Sequence, residues 1–487
     1  MGEHGKVPKI PTFVNQMAVT IRPMGNVMKP FIRTSWILIT LFVAGIAALQ
    51  AIPEPKAQET GEDPAGLVVM QLQSQYLLGV ASLTGQKAEI AAQSNMLDVG
   101  SIGQRQRYMA FMIYFENLEA AKQSSLRLQV DLEQAEIELT EQQASTQEML
   151  DILTEGGVLP EDHPQLSDQL GWFGQLLESD ENERAELESK ASIKVLIVGS
   201  MCIAIFLAGA LGLIGLIFFT IRACTGSMKT GMTPPSSHHG VYAEVFVLWL
   251  FVFVALMTAA AVLGQIVAKD NPTISMMFSL VAFFLSLSVL GWAKFRGISF
   301  HQIRLDIGWH TGSGLFKEIA CGFLGYAMML PLLGVGIICT LVLVIIQQLF
   351  VGGVDSNPFM GTGGGAHPII IEIANGGWQV RVLIISLAAI AAPIVEETIF
   401  RGVLYRQLRT SSKAFNHAIS ILGSVLIVSF LFAAIHPQGW IAIPALMGIA
   451  IGMNLMREWR GTVIPSMVVH GVSNGLVTSM MLIFLSN

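Results

Sequence analysis

Nine apolar runs, most about twenty residues or longer, leave this chain few ways to fold. They fall at about 35–52, 192–221, 242–268, 272–293, 316–350, 379–400, 418–435, 441–456 and 462–485. A helix of roughly 20 apolar residues spans the hydrocarbon core of a bilayer. In that core every backbone polar group must be satisfied within the protein, which a helix does inside one segment. Charged residues make up 13% of the 487 positions and hydrophobic residues 52%, whereas soluble chains carry roughly 25% charge. The expected fold class is therefore all-α: a polytopic membrane protein of about nine transmembrane helices.

Charge is unevenly placed. Residues 53–190 hold 25 Asp and Glu against 8 Lys and Arg, a net −17, which leaves the rest of the chain at +10. An acidic block beside a basic membrane part argues against nucleic-acid binding and for two compartments. Leu128, Leu132, Ala135 and Leu139 recur at helical spacing within the block. It reads as two or three long helices, broken at 100–103 and 156–164, that pack on each other or on a protein partner. A solvated coiled-coil spacer is the alternative.

Basic residues gather in the connectors after the second, fourth, sixth and eighth runs: Arg222 and Lys229; Lys294, Arg296 and Arg304; Arg406, Arg409 and Lys413; Arg457 and Arg460. The positive-inside rule then places the N-terminus in the cytoplasm and the acidic block and C-terminus outside. The expected organisation is a cytoplasmic tail 1–34, an anchor helix 35–52, an extracytoplasmic helical domain 53–190, additional transmembrane helices 191–313 and a membrane unit 314–487. The long polar leader, with no clean small-x-small site, favours an uncleaved anchor over a signal peptide. The run 316–350 is long for one crossing and is expected to tilt or to break near Pro331. The Gly-rich stretch 351–377 reads as an external loop. It lacks the Lys-Ser/Thr ending of a phosphate-binding loop. Cys202, Cys224, Cys321 and Cys339 lie in or beside apolar runs and form no CxxC or Cys/His zinc spacing.

Ionisable residues inside apolar spans are costly and mark function by default. Here they concentrate near the C-terminus as Glu396, Glu397, Arg401, His436 and His470, with the amide of Asn474. Glu397 and Arg401 are four apart, share a helix face and can pair. That leaves Glu396, about 100° round the helix, for another role. His470 and Asn474 are also four apart, and Pro393 can kink the helix one turn before Glu396. The connector between the sixth and seventh runs centres near Asn416, with Glu396 twenty residues before it and His436 twenty after. In an antiparallel helix pair those two residues come level. A carboxylate with an imidazole can activate water, and a second imidazole with an amide can donate to an oxyanion. The same Glu396, His436 and His470 could instead hold zinc with an open water position. Gly471-Val-Ser473-Asn-Gly475 has the GxSxG form, but it falls inside a helical run and not on the strand–turn–helix elbow that this motif requires.

Three motifs, in this order and spacing, resemble those of one family. They are Glu396-Glu397-x-x-x-Arg401 followed by Gly402, Phe432-x-x-x-His436 and His470-x-x-x-Asn474. The family is that of CAAX prenyl endopeptidases and bacteriocin-processing or immunity proteins (CPBP, also called Abi). The resemblance covers about 378–487 and at its widest begins at 314. It implies an all-helical membrane fold and an intramembrane endopeptidase acting on a membrane-associated protein or peptide. By this resemblance Glu396 and His436 activate water, His470 and Asn474 form the oxyanion site, and Glu397 and Arg401 support the site. Members are often called metalloproteases, so zinc is an expected cofactor under one mechanism and is not needed under a glutamate mechanism. Bacterial members imply the cell membrane, a bacterial inner membrane, as the location. The competing reading is a non-proteolytic scaffold or sensor, with a protein partner on the extracytoplasmic helices and a degenerate motif region.

Overall fold

The computed structural model describes residues 31–51, 64–160, 163–227, 229–233, 240–269, 271–351, 369–412 and 415–485, and every regular element among them is helical. Most of the expected tail (1–30) and of the Gly-rich loop (352–368) lies outside the described residues. Nine helices among those described are long and apolar enough to cross a bilayer: Ile32–Leu49, Glu181–Cys224, Val241–Val267, Pro272–Phe295, Leu315–Gln347, Trp378–Ser411, His417–Ala434, Trp440–Arg460 and Ile464–Leu485. The chain is a multi-pass membrane protein. Its outer faces carry exposed apolar side chains such as Phe206, Leu211 and Ile266, which lipid can cover.

The helix Leu315–Val351 sits at the centre, packed against Glu181–Cys224, Ile443–Arg460 and Ile464–Leu485. It runs unbroken through Pro331, where a break was one expectation. Pro331 removes the donor to the carbonyl four residues back, that of Ala327. The helix Glu181–Cys224 crosses at this point, and Gly212 lies so close that a Cβ would overlap the Ala327 oxygen. A neighbouring helix at close range supports the weakened turn, as small residues allow in membrane bundles.

The acidic region forms a packed unit. Seven α-helices run from Pro64–Thr84 to Trp172–Glu178, in place of two or three long ones. The chain turns sharply at Glu116 and Glu136, both in the left-handed region. Ser101, Thr140 and Asp180 each start a helix with a reciprocal cap from Gln104, Gln143 and Glu183. The core gathers Leu78, Tyr108, Phe111, Leu150, Phe173 and Leu176, which is a folded core and not a spacer coil. Its last boundary is not a break: Glu181–Cys224 is one helix of 44 residues, about 66 Å long. It joins the acidic unit to the membrane part.

The two ends of the bundle differ. At one end the basic connectors meet acidic partners. Arg406 pairs with Asp306 at 2.6 Å, Arg409 with Glu458 at 3.0 Å and Arg460 with Glu318 at 2.6 Å. At the other, Lys194 donates to the Phe484 carbonyl and to Gln75, and Val68, Ile373, Val380, Ile384 and Leu485 cluster. The acidic unit is therefore attached at the end opposite the arginine-rich connectors.

Candidate active site

Three helices bring the chemistry together. Trp378–Ser411 carries Glu396, Glu397 and Arg401; His436 follows the end of His417–Ala434; Ile464–Leu485 carries His470 and Asn474. The first of these helices is not uniform. It widens into π geometry at Leu387–Ala391 and at Thr398–Leu404, and the ordinary α-turn between them, Ala392–Glu397, contains Pro393 and both carboxylates. Single π-turns inserted in α-helices occur frequently at functional sites.

Glu397 is fully buried and serves two partners through one oxygen. Arg401 Nη1 donates to its Oε1 at 2.9 Å, and His470 Nδ1 stands 2.9 Å from the same atom. The i,i+4 pair expected from spacing is present. The tie to His470 goes beyond it. With the carboxylate ionised beside Arg401, His470 Nδ1 carries the hydrogen, and the ring turns Nε2 toward Glu396 Oε2 at 4.0 Å. From the other side His436 Nε2 approaches Glu396 Oε2 to 3.9 Å. A carbonyl can only accept, so the contact between His436 Nδ1 and the Phe432 carbonyl puts the hydrogen on Nδ1 and leaves the Nε2 lone pair facing Glu396. Glu396 Oε2 itself is buried without a hydrogen-bond partner among the described residues. The twenty-residue register about Asn416 thus levels Glu396 with His436.

Zinc can be tested on these spacings. Neutral imidazoles whose second nitrogen is held by a carboxylate or a carbonyl suit a metal chemically. Distance argues the other way. A zinc ion about 2.1 Å from Glu396 Oε2 and from either Nε2 would need an angle of about 140° between ligands, far from the ~109° of a tetrahedral site. A water hydrogen-bonded at about 2.8 Å to the same atoms opens an angle of about 90°. No group of three or more His, Cys, Asp or Glu among the described residues has the arrangement of a metal site. As placed, Glu396, His436 and His470 do not fit zinc; they fit a water.

Asn474 is engaged elsewhere: its Nδ2 donates to the Ala388 carbonyl at 3.0 Å, in the first π segment. Ser473 is buried within an unbroken helix, and the GxSxG pattern forms no elbow.

Several supporting residues were not legible from spacing. The Phe432 ring lies under the Arg401 guanidinium, 4.4 Å from its carbon, and its edge meets His470 with centroids 5.8 Å apart. Its place in the Phe-x-x-x-His motif was the available signal. Arg457, fully buried, donates to the carbonyls of Arg401, Asp306 and Gly461. It fastens the second π segment to the connector end. Trp309 Nε1 donates to Thr398 Oγ1 at 2.8 Å, one residue past the carboxylates.

Residues 378–476 match the family model described as type II CAAX prenyl endopeptidase Rce1-like. The matched stretch contains all eight residues named in the three motifs. No curated protein and no solved structure matches the chain.

Proposed function

We propose, from the match of residues 378–476 to the type II CAAX prenyl endopeptidase Rce1-like family model, that the protein is an endopeptidase that hydrolyses a peptide bond of a membrane-associated protein or peptide by water activated at Glu396. The observation that carries this reading is the convergence of two imidazole nitrogens, one from another helix and one from the turn that ends a third, on one buried carboxylate oxygen within 4.0 Å. A water held there donates one hydrogen to Glu396 Oε2 and the other to His436 Nε2. Glu396 takes the first proton as the water oxygen adds to the carbonyl carbon, and the carbonyl electron pair moves to oxygen. His470 keeps Nδ1–H on Glu397 and, with a proton taken up from solvent at Nε2 before the attack and released after product leaves, donates Nε2–H to that oxyanion. Collapse breaks the C–N bond, and Glu396 returns the proton to the leaving amine. General-base catalysis of this kind contributes typically about 10²–10⁴-fold.

The test needs no known substrate. Cells expressing the wild type or Glu396→Gln are compared for new protein N-termini in the membrane fraction. Termini present with the wild type and missing with Glu396→Gln are expected, with both proteins eluting alike in detergent. Identical sets of termini, at equal expression, would leave the scaffold reading standing and sink the protease.

A further inference from the structure

The backbone beside the carboxylates lacks a hydrogen. Ala392 N–H bonds the Leu387 carbonyl, five residues back, which closes the first π segment. In that register the next carbonyl, Ala388, looks to the N–H of residue 393. Residue 393 is proline and has none. Asn474 Nδ2 occupies that position, donating to Ala388 O at 3.0 Å across from the neighbouring helix. The following carbonyl, Ala389, would also look to residue 393 in ordinary α register. It faces Gly471, where a Cβ would stand only 2.6 Å from the oxygen. Both carbonyls released by Pro393 are thus met by the helix that carries His470, at its next residue and at the residue one turn on.

We propose that Asn474 is a positioning residue: it stands in for the missing Pro393 N–H and so fixes the rotation and height of the His470 helix against Glu396 and Glu397. The proposal rests on the protease reading for its consequence in catalysis, but its structural part is independent of it. A carbonyl left bare in the bilayer core has no water to turn to, and an unsatisfied buried acceptor is strongly disfavoured. Without Asn474 the two helices lose the directional bond that joins them beside Pro393. The oxyanion role that the family resemblance implies for Asn474 is the competing account.

A double-mutant cycle separates the two. Wild type, Asn474→Ala, Pro393→Ala and the double variant are purified in detergent and compared by thermal unfolding. Their cleavage is measured on the membrane-protein terminus found with Glu396→Gln. Asn474→Ala is expected to melt lower than wild type and to cleave about tenfold or more slowly. Pro393→Ala restores a backbone donor and is expected to stay close to wild type. In the double variant most of both losses should disappear, because the carbonyl no longer needs the amide. If Asn474→Ala slows cleavage equally with and without Pro393→Ala, the side chain acts on the substrate and the proposal is wrong. Should no terminus be cleaved by wild type, the protease reading fails, and melting alone decides: additive shifts overturn the proposal, and recovery in the double variant supports it. If Asn474→Ala does not accumulate, its accumulation together with Pro393→Ala supports the proposal. Failure of both, with Pro393→Ala alone intact, overturns it.

Discussion

The acidic unit and the membrane site are built from opposite materials. In the acidic unit Tyr108, Phe111, Leu150 and Phe173 form an apolar centre, and ion pairs such as Lys87 with Glu188 and Arg105 with Asp131 keep one partner half-exposed. Around the site the charges are inside. Glu397, Arg401, Asp306 and Arg406 are almost wholly buried, and apolar side chains such as Phe206 and Ile266 face outward. Solvent decides the arrangement. Beside water, an exposed pair contributes little, and the apolar core holds the fold. In lipid, apolar contact between helices gives little net drive, so packing and buried polar bonds specify which helices meet. Each region should therefore be vulnerable to a different substitution.

The largest difference is expected at Glu397. Glu397→Ala removes the partner of Arg401 and the orienting carboxylate of His470 together. Breaking a buried pair costs roughly 3–5 kcal/mol. Thermal unfolding in detergent should show a marked loss of stability, and cleavage should fall by about a hundredfold or more, as when an orienting carboxylate leaves a histidine. A Glu397→Ala protein as stable as wild type would remove the pair from the list of what holds the bundle.

In the acidic unit the matching blow is Phe111→Ala. Phe111 is fully buried and packs edge-on against Phe115 and Phe173. Such truncations cost about 3–5 kcal/mol. The expected result is faster proteolytic nicking within 64–180, with cleavage by the membrane site largely kept, since the partners of Glu396, Glu397, His436 and His470 described above all come from the bundle. Equal loss of cleavage in Phe111→Ala and Glu397→Ala would show that the two regions do not fail separately.

How much of this was legible in the sequence also divides by region. Around the site, periodicity and spacing reached the pair Glu397–Arg401 and the level of Glu396 with His436, because one pitch and one connector determine both. They could not reach the bond from His470 to Glu397, which depends on how two helices 73 residues apart rotate against each other. The π segments leave no compositional trace; Pro393 was the only flag. Arg406, Arg409, Arg457 and Arg460 were read as topological charge, yet each has a carboxylate or carbonyl partner, so one residue serves two purposes that a charge count cannot separate. In the acidic unit the reciprocal caps that start helices at Ser101, Thr140 and Asp180 escaped a reading by periodicity alone, and the left-handed turns at Glu116 and Glu136 fall on residues that rarely adopt them.

The smallest expected effect concerns metal, and it bears on the site alone. Glu396, His436 and His470 are a carboxylate and two imidazoles, which is the donor set of many zinc enzymes. Their spacing of 3.9 and 4.0 Å suits a bridging water and is too wide for a tetrahedral ion. His470 also has its other nitrogen on Glu397, a carboxylate already neutralised by Arg401, so the ring is held in place with no ion present. Prolonged chelation followed by elemental analysis should therefore leave cleavage unchanged in a verified metal-free sample, and melting should not shift. The melting measurement matters because an ion that binds only the folded protein raises its stability by mass action. Loss of cleavage and of melting temperature together on chelation, both regained with stoichiometric zinc, would mean that the three side chains close by about half an ångström around a metal, and that the polar interior of the site is held by an ion as well as by Glu397.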